Sequence, residues 1–125
     1  MGNSAKYFKD SEFKRCTPSC SINDVSQALL DKLDKVRERA GIPLVLSCAY
    51  RSKDWELAHE RTGKGAHTLG KAVDIRCYSD SNRFKIVCAA IECGIKRIGI
   101  YPTFIHLDIA TKEDGLTENV IWYGK

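Results

Sequence analysis

No stretch of this 125-residue chain comes near the ~20 consecutive apolar residues of a bilayer span, which argues against a transmembrane helix. The opening MGNSAKYFKDSEFKR lacks the apolar core of a secretory leader, so no signal segment is expected. Gly2 and Ser4 look like the start of a myristoylation signal, but Lys6 stands where that signal needs Ser or Thr. Charge of one sign is also scarce. Twenty Lys and Arg against 16 Asp and Glu leave a net charge of +4, spread along the chain. So small an excess favours an anionic surface only weakly. With no basic helix and no aromatic platform, nucleic acid is not expected as a partner. No internal repeat or low-complexity linker divides the sequence. Residues 1–125 are therefore expected to form a single domain with one modest core, with the first six or so residues flexible.

What the chain has in unusual number is cysteine, six in all. Without a leader, reduced thiols in a cytosolic setting are expected. Cys48, Cys77 and Cys88 lie in apolar runs and read as buried small hydrophobes. Cys16 and Cys20, in RCTPSC, could pair across a tight turn or hold a metal with two further thiolates. The usual structural zinc signature needs two such pairs, and one is present.

The stretch DVSQALLDKLDKVRERAG is the clearest element. Val25, Leu29, Leu33 and Val36 recur at helical spacing, and Leu30 and Ala40 widen the stripe. Asn23 or Ser21 can cap its start, Gly41 ends it and Pro43 prevents its continuation. PLVLSCAY reads as a buried strand. SKDWELAHERTGKG reads as a short helix begun by Ser52 that runs into a glycine-rich loop. KAVDIRC is a strand. SNRFKIVCAAIECG is a helix with Phe84, Val87, Cys88 and Ile91 inward and Gly94 as its stop. IKRIGIY, FIHLDIA and NVIWYG are three strands close enough together to be antiparallel. The fold class is α+β, with an antiparallel central sheet and helices packed on one side.

Two of these strands carry polar residues in apolar alternations. In AVDIRC, Val73, Ile75 and Cys77 share one face, and Ala72, Asp74 and Arg76 the other. In FIHLDIA, Ile105, Leu107 and Ile109 share one face, and Phe104, His106 and Asp108 the other. If the strands are neighbours, Asp74 and His106 project from the same side. His67, on the loop before Asp74's strand, can fold over that face, with Gly65 and Gly70 giving the loop its freedom. Two imidazoles and one carboxylate can form a catalytic zinc set, whose three protein ligands leave the fourth position for water. The competing reading is that Asp74 is an exposed strand residue and the histidines are surface groups. His59, on the short helix, reads as a surface histidine. Tyr50, Tyr101, Trp122 and Tyr123 could line a groove, although at least two of them are expected in the core.

The strings CAYRS, HTLGKAVDI, RIGIYPTFIHLDI and WYGK resemble the zinc D-Ala-D-Ala carboxypeptidase-like peptidases. That family includes cell-wall carboxypeptidases, dipeptidases and phage endolysins that cut L-Ala-D-Glu bonds, and it shares its fold with the hedgehog signalling domain. The similarity runs over roughly residues 7–125 and includes the pattern His-x-x-Gly-x-Ala-x-Asp as His67, Gly70, Ala72 and Asp74. It implies a hedgehog/DD-peptidase-like fold of the short phage or prophage type. His67, Asp74 and His106 would be ligands to Zn2+. Arg51 would bind substrate and stabilise the developing oxyanion, work suited to a permanently charged fork of donors.

The departures concern proton transfer. Many members place an acidic base three residues before the last zinc histidine, where this chain has Thr103. Some have a histidine two residues before it, where this chain has Phe104. A serine often found two residues before the first ligand is replaced by Gly65. Asp108 is the nearest substitute, about 6–7 Å along the strand from His106. It could serve as the base, or it could orient His106 by hydrogen bonding. Glu113, Asp114 and Glu118 read as a solvated turn.

The expected function is hydrolysis of peptidoglycan stem-peptide amide bonds, of the D,D-carboxypeptidase or the L-Ala-D-Glu endopeptidase type. The expected state is a monomer without nucleic-acid or membrane partners. By family habit it would be made in the cytoplasm and released to the wall. The alternative is a zinc-containing wall- or peptide-binding module without catalysis. A third reading is a redox- or metal-linked domain built on the cysteines.

Overall fold

The computed structural model describes residues 2–125. A short helix α1, Asp10–Lys14, and a 3-10 turn, Ile22–Asp24, lead into the long helix α2, Gln27–Ala40. The cap of α2 is Ser26, whose hydroxyl accepts from the Leu29 amide. Ser21, one of the two expected caps, instead closes the 3-10 turn by accepting from the Asn23 amide, so α2 starts later. Gly41 ends α2 in the left-handed region at φ 69°. Strand β1, Leu46–Cys48, helix α3, Lys53–Ala58, strand β2, Ala72–Arg76, and helix α4, Asp80–Glu92, follow. Strands β3, Arg97–Ile100, β4, Phe104–Asp108, and β5, Val120–Tyr123, complete the fold.

The strands form one sheet in the order β1-β2-β4-β3-β5. The β1–β2, β2–β4 and β3–β4 pairs are antiparallel, as expected. The β3–β5 pair is parallel, which corrects the expectation for the last three strands. The reason is the connection after β4. It includes a 3-10 turn at Lys112–Asp114 and carries the chain back, so that β5 starts beside the start of β3.

Leu29, Leu30, Leu33 and Val36 of α2 and Ile86, Ala89 and Ala90 of α4 join Val73, Ile75, Ile98, Ile105 and Leu107 of the sheet in one buried core. Full burial of such an aliphatic side chain contributes about 1.5–3 kcal/mol, so this face dominates the fold's stability. The orientation of α4 differs from the expected one. Phe84 and Ile91 are 70% and 55% exposed, and Val87 and Cys88 are half-buried. Two stripes compete on α4, and the one with the small residues Ala89 and Ala90 wins because it lets α4 approach α2 closely. Residues 4–7 lie along α2. The Ser4 amide donates to Gln27, and the Lys6 and Tyr7 amides donate to the two oxygens of Asp34.

Candidate metal and substrate site

The register of β2 against β4 builds half of the site. Asp74 pairs directly with His106, and Ala72 with Asp108. Strand alternation places these polar side chains on the face opposite Val73, Ile75, Ile105 and Leu107. The row continues across the sheet, with His106 opposite Gly99 and Gly99 opposite Trp122. A Cβ on Gly99 would meet the Trp122 ring at 2.7 Å, so the bare glycine lets the indole lie over the row. The Trp122 and His106 ring centroids are 5.2 Å apart.

The other half comes from loops. His67 sits in a turn in which the Thr68 amide donates to Gly65 and the Gly70 amide donates to His67 itself. Gly70 has φ +70°, and a Cβ there would meet the Asp24 carbonyl oxygen at 2.4 Å. Its own carbonyl accepts from the Ser26 amide at 2.7 Å, which ties the turn to the start of α2.

His67 Nε2 lies 3.2 Å from Asp74 Oδ1, and His106 Nδ1 lies 3.1 Å from the same oxygen. The outward nitrogens are occupied elsewhere. His67 Nδ1 bonds the Ala49 carbonyl, and His106 Nε2 bonds Asp108 Oδ2 at 2.6 Å. When both outward nitrogens donate, both inward nitrogens present lone pairs towards Asp74. Asp108 is fully buried and also accepts from Arg97 Nε at 2.8 and 3.1 Å and from the Ala110 amide. Its oxygens are thus engaged with partners away from Asp74, the geometry of a group that orients His106.

Burial opposes the charged form of all three groups, and pairing overrides it. The Asp74 carboxyl would be pushed up by burial, yet bonds from both histidines hold it well below the usual carboxylate range. Burial pulls His67 and His106 down, but Asp74 beside His67, and Asp108 and Asp74 beside His106, raise both above the ordinary imidazole value. A cluster that draws protons to two inward nitrogens around one carboxylate fits a divalent cation, which would take the protons' place.

Cys48, His67 and Asp74 offer ligand atoms within 4.8 Å of one another, a buried group able to hold a metal that includes Cys48 in place of the expected His106. Cys48 Sγ lies 3.9 Å from His67 Nδ1, the nitrogen bonded to Ala49, and it accepts from Arg51 Nε at 3.2 Å. A cation on Cys48 would have to compete with the Arg51 guanidinium for that sulfur. The set completed by His106 involves no guanidinium on a ligand atom, since His106 Nδ1 and His67 Nε2 both face Asp74 Oδ1.

Arg51 stands at the edge of this cluster. Its Nη2 is 3.5 Å from Asp74 Oδ2, its Nη1 is 3.5 Å from Glu56 Oε2, and its guanidinium lies 5.5 Å from the centre of the Trp55 ring. Glu56 was not legible as a site residue. It is the one buried residue of α3, only 4% exposed, and its Oε2 has no hydrogen-bond partner. That oxygen sits between Arg51 and Arg61, 3.4 Å from Arg61 Nε. The only sequence signal was an arginine followed by a glutamate five residues later, a spacing too common to point anywhere.

These residues line a cavity of about 720 Å³ that also exposes Tyr101, Phe104 and Trp122. Tyr50 packs against the core and Tyr123 is 84% exposed, so one of the four aromatic candidates is in the core rather than two. Thr103 is exposed, Glu113 is exposed, and Asp114 pairs with Lys71 at 2.8 Å. His59 is exposed and stacks on Trp55. All six cysteines are free. Cys48 and Cys77 are buried as expected, while Cys88 is only half-buried. The Cys16 and Cys20 amides both donate to the Phe13 carbonyl, which gathers the two residues into one buried turn.

Among solved structures, the fold is similar to that titled Serratia marcescens L-Ala D-Glu endopeptidase ChiX. The match has 16% identity and a TM-score of 0.55, and covers 89% of this chain and 93% of that one. No curated protein matches the chain. The model of the Peptidase M15 family matches residues 6–108, the span that holds Arg51, the His67 turn and both polar strands, and on that match the chain belongs to the M15 peptidases.

Proposed function

We propose that the protein is a zinc metallopeptidase that hydrolyses amide bonds in peptidoglycan stem peptides. One observation carries the reading: His67 Nε2 and His106 Nδ1 converge on a single oxygen of Asp74 in a cavity that also holds Arg51. Membership of the M15 peptidases supports the reaction class. Similarity of fold to an L-Ala D-Glu endopeptidase makes that bond the first to test, with the D,D-carboxypeptidase bond second.

His67, Asp74 and His106 would hold the zinc, which when bound supplies Lewis acidity and lowers the pKa of water to roughly 7. The residues around it do the positioning. The Ala49 carbonyl and Asp108 fix the tautomers that turn Nε2 of His67 and Nδ1 of His106 inward. Arg97 holds Asp108 in turn. Arg51 presents permanently charged donors beside Asp74, where they can bind the scissile carbonyl oxygen as negative charge develops on it. In the overall reaction a water oxygen bonds to the carbonyl carbon, the amide's C–N bond breaks, and the leaving amine takes up a proton from that water, leaving a carboxyl group on the acyl side.

A second reading, a zinc-containing module that binds wall peptide without cutting it, has an observation in its favour. Of the carboxylates on the cavity wall, Asp74 faces both histidines, Asp108 is bonded to His106 and Arg97, and Glu56 lies between Arg51 and Arg61. Asp74 and Asp108 are thus taken up by these bonds, and Glu56 Oε2, which has no hydrogen bond, faces two guanidiniums rather than one neutral donor. Incubating the zinc-loaded protein with purified muropeptides decides between the two readings. New amino termini at D-Glu or released D-Ala are expected. Tight binding with every peptide left intact would install the binding module instead, and a protein that takes up no metal would sink both.

A further inference from the structure

Tyr101 lies on the cavity wall, and its side chain is held from several sides. Trp122 Nε1 donates to Tyr101 Oη at 2.9 Å. The ring stacks on Phe104 with centroids 4.3 Å apart and planes 9° from parallel. The Gly124 backbone closes the other approach, since a Cβ there would fall 1.7 Å from a Tyr101 ring carbon. Trp122 is fixed in its turn, by the bare Gly99 beneath it and by the Arg97 guanidinium 5.1 Å from its ring centre.

The direction of the hydrogen bond matters. An indole N–H can only donate, so the Tyr101 oxygen must accept. Its own proton is left for another acceptor, and among the described residues no group takes it. The chain therefore builds a pre-set hydroxyl donor into the same cavity as His67, Asp74, His106 and Arg51.

We propose that Tyr101 is a substrate-positioning residue, its hydroxyl donating to a backbone carbonyl oxygen of the stem peptide beside the bond to be cut. Arg51 and Tyr101 divide the acceptors by charge. The guanidinium suits an oxygen that becomes negative, and the neutral phenol suits a peptide carbonyl that stays neutral. Rigidity is the advantage, because a donor already fixed by Phe104, Gly124 and Trp122 loses little freedom when peptide binds.

The proposal rests on the peptidase reading for its substrate, but its test does not depend on turnover. Tyr101→Phe keeps the ring stack and removes only the hydroxyl. Stem-peptide affinity is measured on the metal-free wild type and variant by calorimetry, and kcat/KM on the zinc-loaded pair. About a tenfold weaker Kd and a matching fall in kcat/KM, carried mainly by KM, are expected from one lost hydrogen bond. Metal content and melting temperature should stay at wild-type values. An unchanged Kd, or a loss accompanied in proportion by lost metal or a lowered Tm, would reduce Tyr101 to a prop for Trp122 and overturn the proposal. A wild type that binds stem peptides but cuts none ends the peptidase reading, while the Kd comparison still decides Tyr101.

Discussion

The two halves of the site are built differently. The half on the sheet, Asp74, His106, Asp108 and Arg97, lies on paired strands in direct register, and its side chains bond one another at 2.6–3.1 Å. The half on loops and the short helix α3, Arg51, Glu56 and the His67 turn, is looser. Its ion pairs are 3.2–3.5 Å long, and it contains Glu56 Oε2 and Thr68 Oγ1, two buried polar atoms without hydrogen-bond partners. Buried polar atoms are rarely left unmet without a reason. The sheet half is finished before any ligand arrives, whereas the loop half keeps hydrogen-bonding capacity in reserve. Metal affinity should thus depend on both halves, and substrate handling mainly on the loops.

The sharpest way to break this division is His67→Ala, which removes the one proposed ligand on the loops. Zinc should be lost by elemental analysis and turnover should fall to background. A variant that keeps its zinc would shift attention to Cys48 as a ligand. Arg51→Ala comes next. Loss of a donor to the oxyanion is expected to lower kcat by about 10²–10³-fold while zinc content holds. Zinc lost together with activity would show Arg51 to be a brace for Asp74 only.

Asp108→Asn tests the sheet half. Removing the group that orients a metal-bound histidine is expected to weaken zinc binding by about 10–100-fold in a competition assay with a chelator. Arg97 would also lose its buried partner, so thermal unfolding should come earlier. A normal zinc affinity together with a collapse of kcat would instead make Asp108 the catalytic base.

The smallest effect concerns pH. His67 and His106 have folded pKa values raised above the ordinary 6.5, so in the metal-free protein their contribution to stability is fully present below about pH 6.5. It is lost as pH rises through the raised folded values. Asp74, held low, contributes above its ordinary 3.8 and loses that contribution only as pH falls well below it. Zinc at the proposed site would replace the protons, so the gap in Tm between zinc-loaded and metal-free protein should widen from pH 6.5 upwards. A gap constant across that range would mean that the metal sits elsewhere.

How legible each half was follows from the same contrast. Period-two alternation is written into the sequence of a strand, so Asp74, His106 and Asp108 could be assigned to one polar face without coordinates. The register that sets Asp74 opposite His106 could not, because pairing between strands 32 residues apart depends on the whole sheet. Asp108 was left between two roles because its partner Arg97 sits on another strand, opposite it only after folding. Glu56 was invisible because a charged residue on a short helix looks solvated until the cavity closes around it. The α4 stripe was misread for a related reason. Phe84 and Ile91 have the larger apolar surface, but the tight approach to α2 selects Ala89 and Ala90, and that choice depends on the neighbour.

The Gly70 contact has a practical side. With no room for a Cβ against the Asp24 carbonyl, and with its own carbonyl held by the Ser26 amide, the turn that carries His67 is stiffened from a distance by the start of α2. The two segments are therefore one part for an engineer. A transplant of residues 65–74 alone into another scaffold would leave His67 on a slack loop, whereas one that also brings residues 24–26 would carry its own clamp.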